Sequence, residues 1–171
     1  MSKQERLDKF KKQFEDLDEN EAKLFVGKNS DYYIKKWSAF KDGSKKWGIN
    51  WPGFLFSIFW LGYRKMYLNI FYFLSVLTGI GILQYFVPVD MFKSTGTVIA
   101  VLVGGSGNTF YYIHMKKKIA KIREQNQDSS NIDKEIMKKG NGSWGGVGIA
   151  LLMFIGYMFV AFILDGIFIG F

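Results

Sequence analysis

The chain has 171 residues, 49% of them hydrophobic and 18% aromatic, and its mean hydropathy of +0.02 averages a charged part with long apolar runs. It has no cysteine and one histidine, which excludes disulfides, thiolate metal centres, Cys nucleophiles and multi-His zinc or haem sites, so no cofactor or metal is expected. The net charge of +8 sits beside apolar segments, +3 over residues 1–50, +2 at Arg64 and Lys65 and +4 over 116–139, which fits membrane topology and not a nucleic-acid-binding face.

Residues 1–50 read as a charged, cytoplasmic helical region without the apolar core of a secretory signal. Leu7, Phe10, Phe14 and Leu17 recur at helical steps and predict one helix over residues 2–20. Phe25, Val26 and Gly27 interrupt that pattern. Asn29 or Ser30 then caps a second helix with Tyr33, Trp37 and Phe40 on one face. Lys41 to Gly48 reads as a turn approaching the membrane.

Four apolar segments follow. Trp51 to Tyr63 spans only about 20 Å as a helix, against a hydrocarbon thickness of roughly 30 Å. With Arg64 and Lys65 behind it, residues 51–65 are expected to form a re-entrant or interfacial aromatic helix. Residues 66–115 are expected to form a transmembrane hairpin, Met66 to Val89 going out, Pro88 and Asp90 marking the exit, and Thr97 to Met115 returning to Lys116. Residues 116–143 form a basic cytoplasmic loop with a short helix at 132–139, and residues 144–171 a last span. Basic-residue placement puts the N-terminus inside and makes the protein multi-pass. The fold class is therefore all-α, an integral membrane protein with three transmembrane helices. The rival arrangement, four spans with an exterior N-terminus, needs a 13-residue crossing and exports 12 basic residues.

Two clusters resemble a known family. One is Asn50-Trp51-Pro52-Gly53-Phe54-Leu55-Phe56 with Phe59-Trp60 and Tyr63-Arg64-Lys65-Met66-Tyr67; the other is Phe25-Val26-Gly27-Lys28-Asn29 with Tyr32-Tyr33 and Lys36-Trp37. Together, over roughly residues 24–115, the chain resembles the bacterial membrane family catalogued as domain of unknown function 2628. The resemblance implies a small multi-span protein of the bacterial cell membrane and no particular activity. Members commonly carry a small residue where this chain has Pro52, and the zinc ribbon of some members is impossible here without cysteine.

Three sets of residues are candidates for function. Arg64 and Lys65, framed by Trp60, Tyr63 and Tyr67, are placed to hold lipid phosphates or to anchor the chain by snorkelling. Gly96, Ala100 and Gly104, four residues apart, form a helix-packing stripe with Ser75 and Gly79 as facing residues. The nearby Gly104 to Thr109 stretch lacks the Gly-Lys-Ser/Thr ending of a phosphate loop. Asp165, Asn108 and His114 are the polar groups of a membrane site, with Asp165 at the outer interface, about 31 Å along its helix from Trp144. The leading functional expectation is a non-enzymatic adaptor or regulator at the inner leaflet, with membrane lipids and a protein partner of residues 1–50. The alternatives are an immunity protein against a membrane-acting or secreted toxin and a transporter or channel component using Asp165, Asn69, Gln84 or Asn108.

Overall fold

The computed structural model describes residues 3–12, 14–16, 18–44, 48–87, 95–125 and 129–170, and among them the regular structure is eight α-helices without a strand. The helix predicted over residues 2–20 is two helices, α1 (Lys3–Lys12) and α2 (Glu19–Val26). Asp18 divides them: its carboxylate accepts the N–H groups of Asn20 and Glu21 at 2.9 and 3.1 Å, an N-cap that starts a new helix. The turn ahead of it carries Phe14 into the core. Gly27 ends α2 at φ 63°, donating its N–H to the Lys23 carbonyl at 2.9 Å. Helix α3 (Ser30–Lys41) buries Tyr33, Trp37 and Phe40, the face expected from their spacing, and Ile34 beside them.

Helix α4 (Trp51–Tyr63) starts under an Asn50 cap, whose Oδ1 accepts the Gly53 N–H at 3.0 Å. Pro52 lies in the first turn, where a missing N–H costs nothing. The helix breaks at Ser57, which has φ 33° and ψ −98°. Along an unbroken helix Gly53 and Trp60 are about 10 Å apart. Here the Trp60 ring comes within 3.4 Å of where a Cβ on Gly53 would stand. Asn50 and Trp60 both approach Gly107, at 3.2 and 3.5 Å from the same point. The bend therefore draws the two ends of α4 to one level and leaves Leu55, Phe56 and Phe59 exposed between them.

Helices α5 (Tyr67–Gln84) and α8 (Trp144–Ile169) pack side by side and run parallel. Tyr67 meets Gly146 near their starts, and Tyr85 stacks on Phe168 near their ends, ring centres 4.6 Å apart. Both are long and apolar enough to cross a membrane, and most of their surface is exposed.

The three spans expected from sequence become two on this criterion. Helix α6 (Thr95–Gln125) is one 31-residue rod that does not stop at Lys116. Only its first part is apolar; glycines, Asn108 and tyrosines follow, and these are drawn into a protein core. Nor do α5 and α6 form the packed hairpin expected over 66–115: α5 packs on α4 and α8, while α6 packs on α4 and the N-terminal helices. The turn expected at Pro88 and Asp90 lies outside the described residues.

Helix α7 (Ser129–Gly140), longer than the 132–139 segment expected, packs on α2 and α6. The core of this end is aromatic, with Phe14, Phe25, Trp37, Phe40, Tyr111 and Tyr112 almost wholly buried. Two ion pairs on its surface, Lys116–Asp16 at 3.0 Å and Arg123–Glu21 at 2.5 Å, tie the N-terminal segment to α6. The molecule is thus a charged helical head continuous with an apolar set of helices.

Candidate functional site

The end of α4 sends two adjacent cations in opposite directions. Arg64 and Lys65 close the helix through backbone bonds to Trp60 and Gly62 at 3.0 and 2.9 Å, and Lys65 adopts a left-handed φ of 56°. That reversal turns Lys65 outward, where its ammonium donates to the Lys138 carbonyl at 2.8 Å, in the last turn of α7. Burial, with Lys139 nearby, holds the Lys65 ammonium below the ordinary lysine range.

Arg64 turns inward and is 3% exposed. Its guanidinium carbon lies 4.8, 5.4 and 4.8 Å from the ring centres of Tyr33, Tyr63 and Tyr111. Nη1 donates to the Val26 carbonyl at 3.3 Å and to the Tyr111 hydroxyl at 3.2 Å. Among the described residues no carboxylate pairs with it, and Nε has no partner. A desolvated cation is costly without compensation. Desolvated cation–π contacts of about 2 kcal/mol each, with the two oxygen acceptors, offset that cost. One side chain thereby joins α2, α3, α4 and α6.

Beside this cage lies a cavity of about 360 Å³ lined by Asn29, Tyr32, Tyr33, Trp51, Trp60 and Tyr63, with Arg64 in its wall. Of the five residues singled out around Arg64, the structure brings Arg64, Trp60 and Tyr63 to this cavity. Lys65 and Tyr67 are directed elsewhere, Tyr67 toward Gly146. Arg64 is accordingly no snorkelling anchor, because its charge ends inside the protein. Asn29 and Tyr33, read from sequence as a helix cap and a helix face, and Tyr111 were not assigned to a site with Arg64. Their one visible signal was an arginine after an apolar helix with no acid close in sequence.

The packing stripe has a different partner from the one expected. A Cβ on Gly104 would stand 2.6 Å from Phe54 Cβ and 3.1 Å from its Cα, so Gly104 admits α4. Gly79 has nothing within 4 Å, and Ser75 bonds its own helix at the Phe71 carbonyl, so neither faces α6. The surroundings of Gly96 and Ala100 lie outside the described residues. Glycines admit close helix contact elsewhere too: a Cβ on Gly62 would meet Ala150 Cβ at 2.5 Å and the Gly146 carbonyl oxygen at 2.6 Å.

The three polar candidates do not converge on one site. Asn108 is fully buried, its side-chain Nδ2 donating to the Gly48 carbonyl at 2.8 Å while its backbone carbonyl accepts the Trp37 indole N–H at 2.9 Å. The side chain ties α6 to the segment that leads into α4, and the backbone carbonyl ties it to α3. His114, on the head side of that level, lies edge-on to Phe25, and burial, with Lys118, pushes its pKa down to about 4. Asp165 accepts the Tyr85 hydroxyl in a cleft of about 370 Å³ between α5 and α8, shared with Thr78, Gln84 and Tyr157.

A family model described as Protein of unknown function (DUF2628) matches residues 9–117, well over half of the chain. The chain belongs to that family. The DUF2628 match runs from within α1 into α6 and takes in the whole Arg64 cage and its cavity, leaving α7, α8 and Asp165 beyond it. No curated protein and no solved structure matches the chain.

Proposed function

We propose that this DUF2628 protein is a non-enzymatic adaptor or regulator seated in a bacterial cell membrane, its helical head at the inner leaflet. The observation that carries the reading is the division of the molecule at the level of Arg64. On one side lie the charged head and its aromatic core; on the other α5, α8 and the tip of α4 present apolar side chains outward. Exposed apolar surface on that scale suits lipid. Because α5 and α8 begin at one level, a chain that crosses on α5 must come back before α8. Residues 95–111 of α6, with Val98, Val101 and Leu102 exposed, are suited to that return and give a third span. The bent α4, with Leu55, Phe56 and Phe59 at its tip, then enters the membrane from the head side and leaves on the same side. Lysines and arginines gathered on the head favour the cytoplasmic side for it.

Single cysteines at Ser44, Ser94 and Ser129 test the topology with an impermeant thiol reagent on intact cells, and only the Ser94 site should react. Labelling at Ser44 in sealed cells defeats the reading. The adaptor role requires a partner that co-purifies from native membranes with the full chain and is lost when exposed head lysines are reversed to glutamate. A second reading, a transporter or channel component, is favoured by the Asp165–Tyr85 cleft between the two helices long and apolar enough to cross a membrane. Substrate flux in proteoliposomes abolished by Asp165→Asn selects it instead.

A further inference from the structure

We propose that the cavity beside Arg64 binds a phosphate-bearing anion. Two independent features of its wall ask for negative charge, and neither depends on the adaptor reading. The first is Arg64 itself, 97% buried, with no carboxylate partner among the described residues and with Nε unpartnered. A guanidinium removed from water without a counter-charge leaves a local positive potential that an anion neutralises.

The second is the start of α3. Asn29 precedes the helix in a left-handed conformation, φ 72°, and its side chain caps nothing. Among the described residues no side chain accepts from the first turn of α3, whose Ser30 N–H bonds the Gly27 carbonyl at 3.1 Å, so the positive end of its dipole has no side-chain cap; Asn29, Tyr32 and Tyr33 from this turn line the cavity. Asp31, in the same turn, is exposed and does not line it.

The remaining walls are aromatic. Trp51 and Tyr32 at the mouth are 60% and 38% exposed, so the cavity opens outward, and Trp60 closes it within. An opening framed by tryptophan and tyrosine next to an apolar helix tip suits a phosphate carrying an organic group. A lipid headgroup and a free phosphate share this chemistry, and the two are separated by experiment.

The test leaves Arg64 untouched, because its removal unsettles four helices at once. Asn29→Asp is nearly isosteric, tolerates the left-handed backbone, and places a negative charge at the helix N-terminus and the rim of the cavity. Asn131→Asp, on the exposed face of α7 and outside the cavity, adds the same charge as a control. The full chain in zwitterionic detergent is titrated calorimetrically with inorganic phosphate and, separately, with short-chain phosphatidylglycerol. Wild type and Asn131→Asp should bind saturably, and Asn29→Asp should bind about tenfold or more weakly at an unchanged melting temperature, the scale of one like charge a few ångströms away. Binding of phosphatidylglycerol alone identifies a lipid headgroup; binding of inorganic phosphate as well identifies the free anion. The proposal is overturned if neither probe saturates, if Asn29→Asp binds like wild type, or if Asn131→Asp loses binding to the same degree.

Discussion

Replacing Gly62 with alanine adds one methyl group where α4 and α8 approach closely. That Cβ would stand 2.5 Å from Ala150 Cβ and 2.6 Å from the Gly146 carbonyl oxygen, with the Gly146 carbonyl carbon at 3.3 Å. Carbon atoms rest at about 3.5–4.0 Å, so α8 must withdraw from α4 by about 1 Å. Two of the three close atoms are backbone, which a rotamer change cannot move aside. Overpacking of this kind costs about 1–3 kcal/mol. For a chain of this length that is about 2–12 °C in melting temperature, read by circular dichroism in detergent. Ala150→Gly in the same chain removes the Cβ partner but leaves the carbonyl oxygen, so it should restore only part of the loss. If Gly62→Ala melts with the wild type, α4 and α8 do not meet at this glycine and the packing argument fails.

Gly104→Leu should destabilise in the same way through Phe54, by about 1–3 kcal/mol, and unaltered melting would place Gly104 against lipid. Asn108→Leu removes the donor from the Gly48 carbonyl and should cost about 1–3 kcal/mol in chemical unfolding; a neutral result would mean the buried amide holds nothing. His114 lies in the head and is held neutral, with its pKa lowered from 6.5 to about 4. The unfolded chain therefore takes up a proton first as pH falls. Stability is intact above pH 6.5 and declines toward pH 4 by about 2–3 kcal/mol. His114→Leu should flatten that decline, and a parallel pH profile for the two proteins would refute the assignment.

The parts legible in the sequence were those set by local pattern. Tyr33, Trp37 and Phe40 repeat at helical spacing and lie together on α3, and Trp51 to Tyr63, too short to cross, has the bounds expected. The break after α1 was missed because Phe14 continues an apolar stripe, while Asp18 offers a competing cap that only its hydrogen bonds reveal. Nothing in the apolar pattern of Thr97–Met115 shows that its Asn108, Tyr111 and Tyr112 are enclosed by protein. Their burial depends on Trp37 and Gly48, 71 and 60 positions earlier. Arg64 was grouped with Trp60, Tyr63 and Tyr67 because these are its aromatic neighbours in sequence. Tyr33 and Tyr111, which enclose it, come from α3 and α6, and no spacing rule links them to it.

The glycine contact between α4 and α8 also orders the events of synthesis. Gly62 is made more than eighty residues before Gly146 and Ala150, so while the intervening chain emerges, the groove on α4 has no occupant. Helix α2 waits in the same way for α7, since the Phe25 carbonyl is covered by Gly140. Residues 1–117 can collapse early around Trp37 and Tyr111, in the manner of domains that form from the N-terminus. Such an intermediate keeps two open seams, one in the head and one among apolar helices. A nascent chain stalled before residue 140 leaves both open, and release from the insertion machinery should follow the arrival of α8.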